Sequence, residues 1–280
     1  MNIIEHENEI EIIGLDDFDL VRIFECGQCF RWVSDGSGVY TGVAFERVLQ
    51  VRSEPKTDSV FMLGSLDDFE NIWRDYFDID RDYAQIRQSL CIDDFMSAAT
   101  EFGSGIRILR QDKWEALCSF IISQNNNIPR IRGIVDSLCK LFGDKIVFNG
   151  QEYYTFPSAE KLALLEPRDL AEVRCGYRAD YIIRAAKDIA AGKVNLETLA
   201  DTSSEHARSE LKKLHGVGDK VADCVLLFGL HMLDTFPLDV WMKRAVTEHY
   251  GADFDPKIFT PYAGIAQQYI FHYMRNKNVN

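Results

Sequence analysis

The chain has 280 residues, enough for one large domain or two to three smaller ones, each with its own core. Its 46% hydrophobic and 27% charged residues fit a folded globular protein and exclude a disordered or fibrous one. The formal net charge of −13 argues against a uniformly basic nucleic-acid binder, but the charge is unevenly spread: residues 1–105 hold 22 Asp+Glu against 8 Lys+Arg, a net of −14, and residues 106–280 hold 22 against 23, a net of +1.

In chain order, the opening MNIIEHENEIEII is acidic, lacks a basic segment and does not read as a secretory leader. The runs EIEIIG, VRIFEC, CFRWVS, VYTGVAF, RVLQVRS and SVFML predict strands up to about residue 64, with turn signals such as SDGSG between them. LDDFENIWRDYFD and RDYAQIRQSL then predict short amphipathic helices, and EFGSGIR marks a boundary near residues 101–107. Beyond it everything reads as helix: WEALCSFIIS, IPRIRGIVDSLCKLFG, YIIRAAKDIAAG, EHARSELKKLHG, DKVADCVLLFGL and VWMKRAVTEHYG each space apolar residues by three and four. Strands followed by helices give an α+β class, with a β-rich region over 1–105 and a helical region over 106–280. The longest apolar run, CVLLFGLHML, is too short to span a bilayer, so no membrane association is expected.

Seven scattered cysteines predict reduced, mostly buried thiols in a cytoplasmic protein. Cys26 and Cys29 form CGQC. Packing is the plain reading, because no βαβ pattern surrounds a redox pair and no second pair completes a zinc site. No cysteine follows Cys224, which leaves no Cys-rich iron–sulfur tail, and no metal site is expected.

The stretch LHGVGDKVADC carries the chemistry. SEHARSELKKL predicts one helix, HGVG a tight turn and DKVADCVLLFGL the next helix. Gly216 and Gly218 allow positive φ and a close backbone approach, and the free N–H groups of the second helix's first turn suit a phosphate. Such a helix-hairpin-helix grips DNA backbone without reading sequence, and the alternative is an αα-hairpin that only packs. Lys220 shares one helical face with Cys224 and Phe228. It is either a desolvated nucleophile or a lysine whose stem lies on the core and whose head reaches water. Asp239, after Pro237-Leu238, is an N-cap by position and a fixed anion if it lies near the lysine.

G-V-G-x-K followed nineteen residues later by P-L-D resembles the helix-hairpin-helix, Gly/Pro-Asp superfamily of DNA glycosylases, with the lysine marking the bifunctional branch. GQCFRW, FIISQNNNIPRIRGIV, CGYRADYI, GVGDKVADC and PYAGIAQQYIF resemble, in order, the motifs of the 8-oxoguanine DNA glycosylases, across nearly the whole chain. The resemblance implies an N-terminal antiparallel sheet domain, then helical domains, with the active site in the cleft between them. It implies a base-excision repair enzyme that flips an oxidised purine out of double-stranded DNA, releases it and nicks the abasic strand by β-elimination. Lys220 is implied as the nucleophile on C1′ and Asp239 as the anion that stabilises the sugar. Gly27, Cys224, Gln267 and Phe271 are implied to hold the damaged base, the Gly27 carbonyl meeting the N7–H that guanine lacks. Asn125, Arg130 and Arg178 are implied to contact the orphaned cytosine, and Tyr177 to wedge into the stack. Without the family, Asn125 to Asn127 read as a cap-and-turn cluster, Arg130 and Arg178 as surface charges and Phe271 as core. Two departures stand out: Trp241 replaces a family histidine, and the hairpin reads HGVG rather than PGVG.

The expected protein is a monomer, nucleoid-associated in a prokaryote. It needs no redox cofactor, and a monovalent cation is expected on the hairpin carbonyls. Lys212, Lys213 and Arg244 are expected to supply a local basic face that offsets the acidic first region. The alternatives are a glycosylase for alkylated purines, which would use the aspartate and water, an endonuclease-III-like pyrimidine enzyme, and a non-catalytic hairpin module.

Overall fold

The computed structural model describes residues 1–54 and 57–277. Six strands, Asn2–Glu5 (β1), Glu9–Ile13 (β2), Trp32–Ser34 (β3), Val39–Ala44 (β4), Arg47–Glu54 (β5) and Ser59–Leu63 (β6), form one antiparallel sheet in the order β1-β2-β6-β5-β4-β3. The pairing is set by alternation: Ile10 opposes Met62 and Ile12 opposes Val60, so the apolar members of both strands fall on one buried face.

VRIFEC, expected as a strand, is helical over Leu20–Glu25 (α1). Asp19 caps it by accepting from the Arg22 N–H at 3.0 Å, and its buried residues, Leu20, Ile23 and Phe24, are spaced by three and four rather than two. Leu66–Asp68 (α2) and Arg74–Tyr76 (α3) flank a π-turn over Phe69–Trp73, followed by Tyr83–Leu90 (α4) and Asp94–Phe102 (α5). The second half contains Lys113–Ser123 (α6), Ile128–Phe142 (α7), Ala159–Ala163 (α8), Arg178–Ala190 (α9), Leu196–Leu199 (α10), Ser204–Leu211 (α11), Asp219–Phe228 (α12), Val240–His249 (α13) and Ala263–Asn276 (α14). It is not wholly helical. Lys145–Phe148 (β7) and Gln151–Tyr154 (β8) form a hairpin turned by Asn149 and Gly150, both at positive φ. An Asn-Gly pair between β-prone runs is the signal for such a hairpin, and it was there to be read in KIVFNGQEYY.

Two apolar cores result. The sheet covers one built from Ile10, Ile12, Leu49, Val51 and Met62 with Phe24, Trp32, Trp73, Tyr76 and Phe77, where Phe24 stacks on Trp32 at 4.2 Å. The helices enclose the other around α6, of which residues 116–122 are all buried. The CGQC loop straddles the junction: Cys26 belongs to the helical core and Cys29 to the sheet core, so packing accounts for both. Arg31, from the same loop, reaches Glu115 in the first turn of α6 at 3.2 Å and ties the sheet side to the helical side. Among the described residues no helix is long and apolar enough to cross a membrane.

Candidate active site

The hairpin between α11 and α12 is built as its glycines require, but the two differ. Gly216 has φ +84, and a methyl group there would overlap the ring of Tyr181 from α9. The close approach at Gly216 is therefore made by the chain's own α9, and the Gly216 carbonyl accepts from Gln124 Nε2 at 3.1 Å. Gly218 has open space around it, is the N-cap of α12 and offers no side chain to the N–H groups behind it. Those N–H groups are the surface that suits a phosphate.

Lys220 lies one position into α12. Its Nζ is 3.2 Å from Ser123 Oγ at the end of α6 and 5.4 Å from the centre of the Phe120 ring. The half-buried lysine therefore has a hydroxyl partner and an aromatic wall. Asp239 caps α13, accepting from the Met242 N–H at 2.8 Å. Burial raises its carboxyl above the usual range, while the Met242 N–H and the charge of Lys220 pull it back. Cys224 lies one turn beyond Lys220; burial pushes its thiol up, and Lys220 opposes this. Lys220, Cys224 and Asp239 thus share one electrostatic neighbourhood, although the last comes from a different helix.

A second group forms where the CGQC loop meets α14. Gly27 has φ +85, and a Cβ built on it would lie 3.4 Å from Phe271 Cε1 and 3.1 Å from Ile128 Cδ1. Gln267, one turn before Phe271 on α14, is 4% exposed, and its Oε1 has no hydrogen-bond partner among the described residues. A buried amide oxygen without a partner is uncommon in a folded protein.

Residues 12–117 match the 8-oxoguanine DNA glycosylase N-terminal domain, and residues 118–259 match the HhH-GPD superfamily of base excision DNA repair proteins. An N-glycosylase/DNA lyase of Saccharomyces cerevisiae is 32% identical over 262 residues, which cover 85% of this chain and 70% of the yeast protein. The chain belongs to the 8-oxoguanine DNA glycosylase family. Solved structures agree in fold: MBOgg1 in complex with low affinity DNA ligand superposes with a TM-score of 0.94 at 44% identity, covering 99% of this chain and 98% of the other. The 8-oxoguanine glycosylase/lyase of Clostridium acetobutylicum, solved with double-stranded DNA containing cytosine opposite to 8-oxoG, gives 0.93 at 37% identity, covering 99% of each chain.

In this glycosylase the residues matched to the opposite strand divide by burial. Tyr177 is half exposed, and Asn125, at φ +48, is exposed with its Nδ2 3.4 Å from the Tyr177 hydroxyl. Arg130 is exposed at the start of α7, where Asn127 caps the helix by accepting the Arg130 N–H at 3.0 Å. Arg178 is not the surface charge that the plain reading gave. It is 3% exposed and donates to the carbonyls of Gln124 at 3.0 Å, Cys175 at 3.2 Å and Asn125 at 3.2 Å, with its guanidinium 4.5 Å from the Tyr177 ring centre. It thereby braces the Asn125 turn and the tyrosine together. Gln124 joins this brace to the hairpin, because its carbonyl takes Arg178 and its amide holds Gly216.

Sequence reading did not single out Ser123 or Gln124. Both lie in the Asn-rich segment, but nothing in that run points to Lys220, 97 residues away, or to Gly216. The expected basic face is muted: Lys212 pairs with Asp219 at 2.5 Å, Lys213 with Glu210 at 2.6 Å and Arg244 with Glu248 at 2.6 Å. Trp241 is half-buried against the helical core, and His215 lies 3.5 Å from Asp180 and edge-on to Tyr181.

Proposed function

We propose that this bifunctional glycosylase/lyase releases 8-oxoguanine from duplex DNA, preferably opposite cytosine, with Lys220 as nucleophile. The observation that carries the reading is the half-buried Lys220, its Nζ 3.2 Å from Ser123 Oγ, in one electrostatic neighbourhood with Asp239 and the buried Cys224, next to a hairpin whose Gly218 end is open. The Lys220 amine, once deprotonated, bonds to C1′ as the C1′–N9 bond breaks, and the bonding pair leaves with the purine. Opening of the sugar gives a Schiff base, and loss of a C2′ proton then expels the 3′ phosphate. Asp239 is a fixed anion beside the positive charge that develops on the sugar. Gly27, Gln267, Phe271 and Cys224 hold the flipped base. Asn125 and Arg130 meet the cytosine left behind, buried Arg178 braces the Asn125 turn rather than touching that base, and Tyr177 fills the gap in the stack.

The scheme uses no redox cofactor, iron–sulfur cluster or other metal beyond a monovalent cation on the hairpin carbonyls. It takes the protein to be a cytoplasmic monomer that acts on nucleoid DNA in a prokaryote, with residues 1–105 as a β-rich unit and residues 106–280 as the helical unit. The test is base release from duplexes holding one 8-oxoguanine opposite each of the four bases, with undamaged guanine as control. Fastest release opposite cytosine supports the reading. Equal release from guanine, or release of alkylated purines alone, overturns it.

A further inference from the structure

Glycine carbonyls swing easily, because glycine restricts neither φ nor ψ. Gly27 is an exception by its surroundings. The Cys26 carbonyl before it accepts from Gln268 Nε2 at 2.8 Å, and the Gln28 carbonyl after it accepts from Gln111 Nε2 at 2.8 Å. The Gln28 side chain, fully buried, donates to the carbonyls of Ile23 at 2.9 Å and Arg107 at 2.8 Å and accepts from the Leu109 N–H at 3.0 Å. Gln268 and Gln111 are 2% and 8% exposed, so water does not compete for these bonds. Among the described residues, no hydrogen bond falls on the Gly27 carbonyl itself. The peptide planes are therefore fixed on both sides of one free acceptor.

We propose that Gln268 is a positioning residue for damage specificity: by gripping the Cys26 carbonyl from α14 it holds the Gly27 carbonyl at a set distance from the open Oε1 of Gln267. The two glutamines are consecutive on one helix. The loop acceptor and the base-edge reader are thus spaced by a single rigid element rather than by two mobile ones. This matters because the lesion differs from guanine at this edge by one N7–H, and an acceptor displaced by about 1 Å no longer tells the two apart. Gln111 secures the other flank through the same amide-to-carbonyl bond. The inference rests on the preceding reading that Gly27 meets the damaged base.

Gln268→Met keeps the length of the side chain and removes the donor. Two single-turnover rates are compared with wild type: base release from an 8-oxoguanine·cytosine duplex, and strand scission of an abasic·cytosine duplex, which has no base to position. The expected result is a fall of about tenfold in base release with scission within about twofold, and the same selective loss in Gln111→Met. Equal falls in both rates would make Gln268 merely structural and overturn the proposal, as would no change in either. Wild-type protein that releases no 8-oxoguanine but cleaves abasic DNA would instead remove the underlying assignment of the base, and the proposal with it. That outcome is read before any variant is made.

Discussion

Asp239 combines two residue-scale roles that oppose each other energetically. As an N-cap it stabilises α13, but burial raises its carboxyl. An acid whose pKa is raised on folding binds a proton that the unfolded chain has lost. Stability therefore falls as pH rises from 3.8 through the raised value, and the ionised form costs the fold at neutral pH. Asparagine caps as well as aspartate and carries no charge. Asp239→Asn is expected to melt at or above the wild-type temperature at pH 7, while base release falls by about 10²-fold or more; thermal melts and single-turnover rates on one preparation check both. The cap was legible in P-L-D from helix grammar, while the anion on the sugar is what the family resemblance implies. The Ser123 contact with Lys220 was not legible, because a hydrogen bond between residues so distant in sequence exists only after α6 and α12 pack. The burial of Arg178 was hidden for the same reason: its three acceptors are backbone carbonyls, which leave no trace in residue type.

At the element scale the hairpin separates folding from binding. Gly216→Ala brings a methyl group into Tyr181 at a positive φ and is expected to destabilise the protein by about 2–3 kcal/mol. Gly218→Ala meets open space at an ordinary extended φ and is expected to cost only about 0.5–1 kcal/mol as a poorer cap, yet to weaken DNA binding. Denaturant melts and duplex titrations on the two variants distinguish these outcomes; equal destabilisation would contradict the division. The loop from α12 to α13 has its own anchor in His231, at φ +54, which lies 3.2 Å from the Ile108 carbonyl and 3.6 Å from Asp78. Burial lowers this imidazole to about 4, so the unfolded chain takes up its proton first as pH falls. Stability is then lost between pH 6.5 and 4, by about 2–3 kcal/mol from this group, with His272 acting in the same direction. His231→Asn, which tolerates the left-handed backbone, should flatten that acid limb in pH-dependent melts. Most elements were legible from apolar spacing. α1 was missed because a short apolar run fits either period, and its Asp19 cap decides for helix; β7–β8 was missed because its Asn-Gly turn was absorbed into a helical half.

The whole molecule poses an electrostatic question, a net charge of −13 on a protein of a DNA-repair family. The separation into an acidic sheet side and a near-neutral helical side was legible by counting, but the pairing of Lys212, Lys213 and Arg244 with carboxylates was not, because it depends on where the helices place them. These three cations are therefore not free to meet a phosphate without giving up a carboxylate. Each phosphate neutralised by a side chain adds about 0.9 to the slope of log affinity against log salt. Asp219→Asn, which frees Lys212, is therefore expected to tighten duplex binding at low salt and steepen that slope, as a salt series for wild type and variant would record. All of this matters to function only if Lys220 reaches the sugar. The decisive measurement is borohydride trapping on a duplex with one 8-oxoguanine opposite cytosine, with peptide mapping of the adduct. A lesion-dependent covalent complex attached at Lys220, absent from Lys220→Gln, is the expected result. Base release without any trapped complex, or an adduct mapped to a different residue in the wild-type protein, would contradict it.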